Sequence, residues 1–204
     1  MYGSREIEFA EGTKEIMSLV DVKAALGISV PAQDATLSAL IDEASRLFET
    51  YCASIFAKRT VTERHHLEEG GSNFVLRYCP AITLTSVTIA GASQTVGAFR
   101  LNKLHGMVRK VDSSLFGVGE HVIVYDAGYD SIPPAVKRAF VDYVSYLLNK
   151  EDAAENGALR SESVDDVGER EYLALNERLS YSNGVRLPTR FALALAPYRR
   201  SYVA

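Results

Sequence analysis

The chain has 204 residues, 47% of them hydrophobic and 24% charged, a composition that builds one sizeable core or two small ones and excludes disorder throughout. Its formal net charge of -4 leaves no overall basic footprint for nucleic acid, and its two cysteines cannot frame a disulfide-stapled fold. No apolar run approaches the roughly 20 residues that span a bilayer, and none follows a basic N-terminus as an export signal would; a soluble protein made inside the cell is expected, with Cys52 and Cys79 reduced and buried.

Residues 1–16 have weak periodicity, and 1–17 read as an N-terminal arm, the alternative being a leader upstream of a second start at Met17. Ser18-Leu19-Val20-Asp21 then fits a capping box and Gly27 suits a C-terminal cap, which predicts a short helix over 19–26. After Pro31, Leu37, Leu40, Ile41, Ala44, Leu47, Phe48 and Tyr51 form an apolar stripe with Asp42, Glu43, Arg46 and Glu49 outside it, the spacing of a helix over 34–52. From Lys58 the period shortens to two. Alternating runs at 59–68, 73–78, 83–90, 96–101, 106–111 and 120–126, punctuated by Gly70-Gly71-Ser72-Asn73, Gly91-Ala92-Ser93 and Leu104-His105-Gly106, predict about six strands joined by hairpins into an antiparallel sheet.

Between Val122 and Leu148 the period changes back. Val122 and Val124 alternate with Ile123 and Tyr125, Gly128 permits a turn, and Pro133-Pro134 open a helix over 134–149. Val136, Ala139, Phe140, Tyr143, Val144, Leu147 and Leu148 share one face of that helix. Because the strands form one block between helices, the chain reads as α+β, a helical core (18–150) with an inserted β-region (58–127), and not as a doubly wound nucleotide-binding sheet.

Beyond Lys150 the charge is lopsided. Residues 151–177 carry nine acids against Arg160 and Arg170, a net of -7, whereas Arg178–Ala204 carry five arginines and no acid, a net of +5. The division read from this is an acidic, solvated linker followed by a basic C-terminal arm, together 151–204. In that arm LPTRFALALAPYRR predicts a short helix opened at Pro188 and closed near Pro197, with Phe191 and Leu195 on one face. Two readings stand: the segment folds back on its own domain, or it docks on another chain through apolar anchors and arginines.

Searches for chemistry return little. His65 and His66 are adjacent on a strand, so they point to opposite faces and cannot share an ion; they read as surface histidines. There is no G-x-x-x-x-G-K-[ST], H-E-x-x-H or G-x-S-x-G, and Gly117-Val118-Gly119 lacks the setting of a phosphate loop. Glu162, Asp165 and Asp166 read as hydrated carboxylates, and Phe99, Tyr125 and Tyr129 as core, because no basic residues interleave with them. No catalytic residue, cofactor site or metal site is assigned.

The order SLVDVKAALGI, DATLSALIDEASRLFETYC, YCPAITLTSVTIAG, VIVYDAGYDSIPPAVKRAFVDYVSYLL and LPTRFALALAPYRR resembles the tailed-phage head-to-tail connector family, also called adaptor or head-completion proteins, which includes gene transfer agent adaptors. The resemblance runs from about Ser18 to the C-terminus and leaves residues 1–16 unmatched. It implies a structural virion protein without catalytic activity or cofactor, made in the bacterial host cytoplasm: a ring, usually of twelve copies, beneath the portal at the particle neck, joining head to tail. The implied partners are the portal protein, copies of the chain itself and the next neck or tail-completion protein. DNA passes through without sequence-specific binding, and no membrane is involved. Carried onto this chain, portal docking falls on Leu187, Phe191, Leu195, Tyr198, Arg199 and Arg200. The alternatives are a tail-completion or other neck protein and, further off, a nucleic-acid-binding module or an enzyme.

Overall fold

The computed structural model describes residues 2–9, 14–155 and 178–200. The elements are β1 (Tyr2–Phe9), α1 (Leu19–Leu26), α2 (Asp34–Cys52), β2 (Arg59–Leu67), β3 (Phe74–Val75), β4 (Ala81–Ile89), β5 (Ala92–Gln94), β6 (Phe99–Asn102), β7 (Met107–Lys110), β8 (Gly119–Ala127), α3 (Pro134–Glu155), β9 (Leu179–Ser182), β10 (Val185–Pro188) and α4 (Thr189–Leu195). The fold is α+β, as the block of alternating segments between helices predicts. Two compact units divide it: a β-rich one from the segment up to Ile16, Cys52–Pro133 and the residues from Tyr198, and a helical one from Met17–Tyr51 and Pro134–Pro197. Most of the acidic linker, with Glu162, Asp165 and Asp166, lies outside the described residues.

In the helical unit the sequence signals act as read. The Ser18 hydroxyl accepts from the Asp21 N–H at 3.2 Å and donates to the Asp21 carboxylate at 2.7 Å, and Gly27 closes α1 at φ 70°. Lys23 pairs with Asp34, tying α1 to the start of α2. Leu37, Leu40, Ile41, Ala44, Phe48 and Tyr51 are buried along α2, and Val136, Ala139, Phe140, Tyr143 and Val144 along α3. The two stripes meet where the Phe48 ring stands edge-on to Phe140 at 5.6 Å and against Tyr143 at 5.5 Å. Helix α3 continues past 149 to Glu155, through residues that are mostly good helix formers.

The β-rich unit holds a five-stranded antiparallel sheet in the order β1-β2-β8-β4-β5 and a three-stranded one in the order β3-β7-β6. Each of the six predicted runs contains a strand, although 73–78 pairs only at Phe74–Val75, and 96–98 form a single 3₁₀ turn before β6. Two strands of this unit escape the sequence reading. β5 is a three-residue return from β4, and β1 lies in the expected arm, paired edge to β2 with Phe9 opposite Val61. Alternate residues of β2 and β8 point inward: Val61, Leu67, Ile123 and Ala127 pack with Phe74, Leu76, Val87, Val108 and Phe116.

Gly128, after β8, is required on two counts. Its φ is 108°, and a Cβ there would sit 3.0 Å from the Ala57 carbonyl oxygen and from Lys58 N and Cα. Gly128→Ala is therefore expected to destabilise this unit by about 1–3 kcal/mol through backbone strain alone. A lowered urea midpoint at unchanged m-value checks it.

Candidate functional site

The basic C-terminal segment is built from a hairpin and a short helix. Asn183 and Gly184 both have positive φ, 49° and 80°, and form the two-residue turn that matches strand twist, pairing β9 with β10. The Asn183 amide donates to the Thr50 and Tyr51 carbonyls at 3.1 and 3.2 Å, satisfying two acceptors that the end of α2 leaves open. Asn183→Ala removes both bonds and leaves at φ 49° a residue that tolerates the left-handed region less well than asparagine. A loss of about 1–2 kcal/mol is expected, read as faster amide exchange in the hairpin and the last turn of α2.

From this hairpin the chain enters α4, and three of the six anticipated docking residues turn inward. Leu187, Phe191 and Leu195 are 0%, 4% and 0% exposed. Phe191 stands edge-on to Tyr143 at 5.0 Å and near Tyr146 at 5.9 Å, both on α3, and the Arg190 guanidinium covers the Phe191 and Tyr146 rings at 4.6 and 5.2 Å. Of the two readings left open by the sequence, the fold-back on its own domain is the observed arrangement. At about 1.5–3 kcal/mol per buried side chain, detaching all three anchors would cost roughly 5–9 kcal/mol, so they fasten the segment rather than offer a free surface.

The other three belong to the β-rich unit. Tyr198 lies between Phe56 and Tyr129, with ring centroids at 6.2 and 6.3 Å. Arg200 is a clamp: its guanidinium donates to the carbonyls of Leu76 (2.8 Å), Arg77 (2.7 Å) and His105 (3.1 Å), while its backbone N–H donates to the Cys52 carbonyl at 2.9 Å. Arg199 is exposed. The same segment exposes three large apolar side chains, Leu179 at 55%, Tyr181 at 68% and Leu193 at 69%. These three belong to the helical unit, where Arg186 and Arg190 are also exposed, so that unit carries apolar and basic side chains on the outside of a segment whose inward side is buried.

Sequence reasoning missed a buried polar cluster in the β-rich unit. Of the adjacent pair only His66 is at the surface; His65 is buried on the inward face of β2, beside Glu63 and opposite the buried His121 of β8. Glu63 accepts from His65 Nε2 at 3.0 Å, from the Arg77 N–H at 2.7 Å and from the Tyr125 hydroxyl, which itself accepts from the Tyr78 N–H at 3.2 Å. Burial pushes the Glu63 carboxyl up, yet the hydrogen bonds from His65, Tyr125 and Arg77 outweigh it and hold the group below its ordinary range. Burial and the facing carboxylate drive the Tyr125 hydroxyl far up, so it remains a donor. His121 is held neutral by burial, with one ring nitrogen 2.8 Å from the Gly117 carbonyl. The signal was available: Val61, Glu63, His65 and Leu67 share one parity, so inward apolar ends imply inward polar middles.

This cluster packs within the core that holds Phe74, Phe99 and Phe116, with the His65 ring 5.0 Å from that of Phe74. Phe99 and Tyr125 are core, as expected, and both cysteines are free and buried. Among the described residues no group of three or more His, Cys, Asp or Glu could hold a metal, and no helix is long and apolar enough to cross a membrane. In the helical unit an open groove of about 280 Å³ runs between α3 and α4, lined by Arg138, Asp142 and Arg190 together with Ala135, Ala139, Phe191 and Ala194.

Comparisons with known proteins agree with these features. The family model described as head completion protein matches residues 15–170. Comparison with curated proteins returns no match. Among solved structures, a chain in the neck of an empty gene transfer agent particle computed with C6 symmetry is similar at 15% identity and TM-score 0.65, covering 98% of this chain and 97% of that one. A chain in the virion of a native gene transfer agent particle is similar at 14% identity and TM-score 0.65, over 97% of each chain. A third, in the neck of the native particle computed with C12 symmetry, is similar at 13% identity and TM-score 0.61, over 98% and 97%. At these identities the likeness is one of fold.

Proposed function

Because the chain belongs to the head completion protein family, we propose that it is a structural part of a phage or gene transfer agent neck, a ring of copies beneath the portal that joins head to tail and lets DNA pass. The observation that carries this is the coincidence of a family match over residues 15–170 with a fold shared along nearly the whole length of chains from particle necks. A ring of twelve copies accords with the C12 symmetry of one of those necks. The chain works by shape: its polar cluster lies buried inside the β-rich unit, and its described surface exposes large apolar side chains such as Leu179, Tyr181 and Leu193.

Portal docking we assign to the segment carrying Leu187, Phe191, Leu195, Tyr198, Arg199 and Arg200. In this arrangement the three apolar anchors, Tyr198 and Arg200 fix the segment to its own chain, and a portal can meet the exposed Leu193 on the helical unit and the exposed Arg199 on the β-rich unit, each on its own. Capture by the portal of the same particle tests it. The double variant Leu193→Ser, Arg199→Glu is expected to lose about tenfold or more in affinity, as exposed contacts at the centre of an interface do. Unchanged capture would remove the docking role from this segment.

A further inference from the structure

A ring closed by head-to-tail contacts needs two unlike surfaces on every copy, each complementary to the other. Resting on the ring reading above, we propose that the outward face of the β9–β10 hairpin is the seat for helix α2 of the next copy. On β9, Leu179 and Tyr181 are two residues apart and therefore share a face, and Arg186 lies directly opposite Tyr181 in the hairpin register. The other face carries Leu187, which is buried, so a two-stranded ribbon here packs on one side and leaves a leucine and a tyrosine open on the other.

The chemistry of the occupant follows from charge. Arg178–Ala204 contain no acid, and among the described residues Arg186 has no ion-pair partner, so a surface with an apolar patch beside a carboxylate is the complement of Leu179, Tyr181 and Arg186. The outer face of α2 has the matching composition. Ala35, Ala39, Asp42, Glu43 and Arg46 fall on one exposed stripe, and among the described residues neither Asp42 nor Glu43 has an ion-pair partner. Alanines at positions 35 and 39 let a tyrosine ring approach the helix backbone, while Glu43 one turn further on reaches an arginine. Both surfaces belong to the helical unit, so every copy carries one of each.

Disulfide trapping tests this directly, because the native Cys52 and Cys79 are buried. The full chain bearing both Tyr181→Cys and Ala39→Cys is oxidised mildly at millimolar concentration. A ladder of cross-linked oligomers is expected, while each single variant stays monomeric. Adding Arg186→Glu should cut the yield about tenfold, and adding Glu43→Arg beside it should restore it, since the charges are then exchanged rather than removed. No ladder, or a dimer from Tyr181→Cys alone, overturns the pairing. Loss of portal capture by Arg186→Glu with cross-linking intact assigns the face to the portal and overturns it too. Imaging the wild-type chain assembled on portal separates the two levels: rings without cross-links remove this contact only, and absence of both removes the ring reading as well.

Discussion

Glu63→Leu should lower the stability of the β-rich unit by about 3–5 kcal/mol, because removing one member of a buried charged cluster strands its partners. The His65 ring nitrogen, the Arg77 N–H and the Tyr125 hydroxyl all lose their acceptor, and the His65 and Tyr125 bonds lost are buried ones. Tyr125→Phe, which deletes one donor and leaves the carboxylate its other bonds, should cost about 1–3 kcal/mol. With 11 tyrosines and no tryptophan, the chain reports urea unfolding through tyrosine fluorescence. Equal, small losses for both variants would show that the cluster is not cooperative.

The same cluster sets a pH dependence. The folded His121 binds a proton less readily than the unfolded side chain, whose ordinary value is 6.5, so stability should fall as pH drops below that value. Glu63 is depressed below its ordinary 4.5, so its contribution is complete above that pH and is lost as acid passes through the lower folded value. Both groups act in one direction. The unfolding midpoint should hold steady from neutrality up to the pH at which the thiol of unfolded Cys79 and the phenol of unfolded Tyr125 ionise, and decline in two stages on acidification, and Glu63→Leu should lack the lower acid stage.

Phe191→Ala should release the C-terminal segment. The ring is buried against Tyr143 and Tyr146, and its truncation should cost about 3–5 kcal/mol by lost transfer energy and cavity formation. Because the segment is short, the loss should show as local opening, with amide exchange in β10 and α4 quickened about a hundredfold or more. Leu193→Ala, on the exposed side of the same helix, should change exchange hardly at all, within about 0.5 kcal/mol. Equal exchange in the two variants would mean that the anchors do not hold the segment down.

How much of this was legible before the structure depends on which contacts are local. The capping box at Ser18, the stripes on α2 and α3 and the turn at Gly128 are set within a few residues, and each is found where the sequence puts it. β1 was not legible, because Glu6 and Glu8 alternate with a single half-buried Ile7 and the strand exists only through its pairing with β2. The β9–β10 hairpin has a local signature, since Asn183-Gly184 is a strong two-residue turn signal, and its strands are only four residues each before the α4 pattern begins. The docking residues show a deeper limit. Leu187, Phe191 and Leu195 announce burial, but the apolar pattern of one segment is the same whether its partner is α3 or another chain.

The most direct measurement is an image of the assembled particle with this chain carrying a label at its C-terminus. Density from the label should form a ring at the vertex between head and tail, one copy per repeat of the neck symmetry. A label in the capsid wall, at the tail tip or absent from the particle would contradict the proposed place and role of the chain.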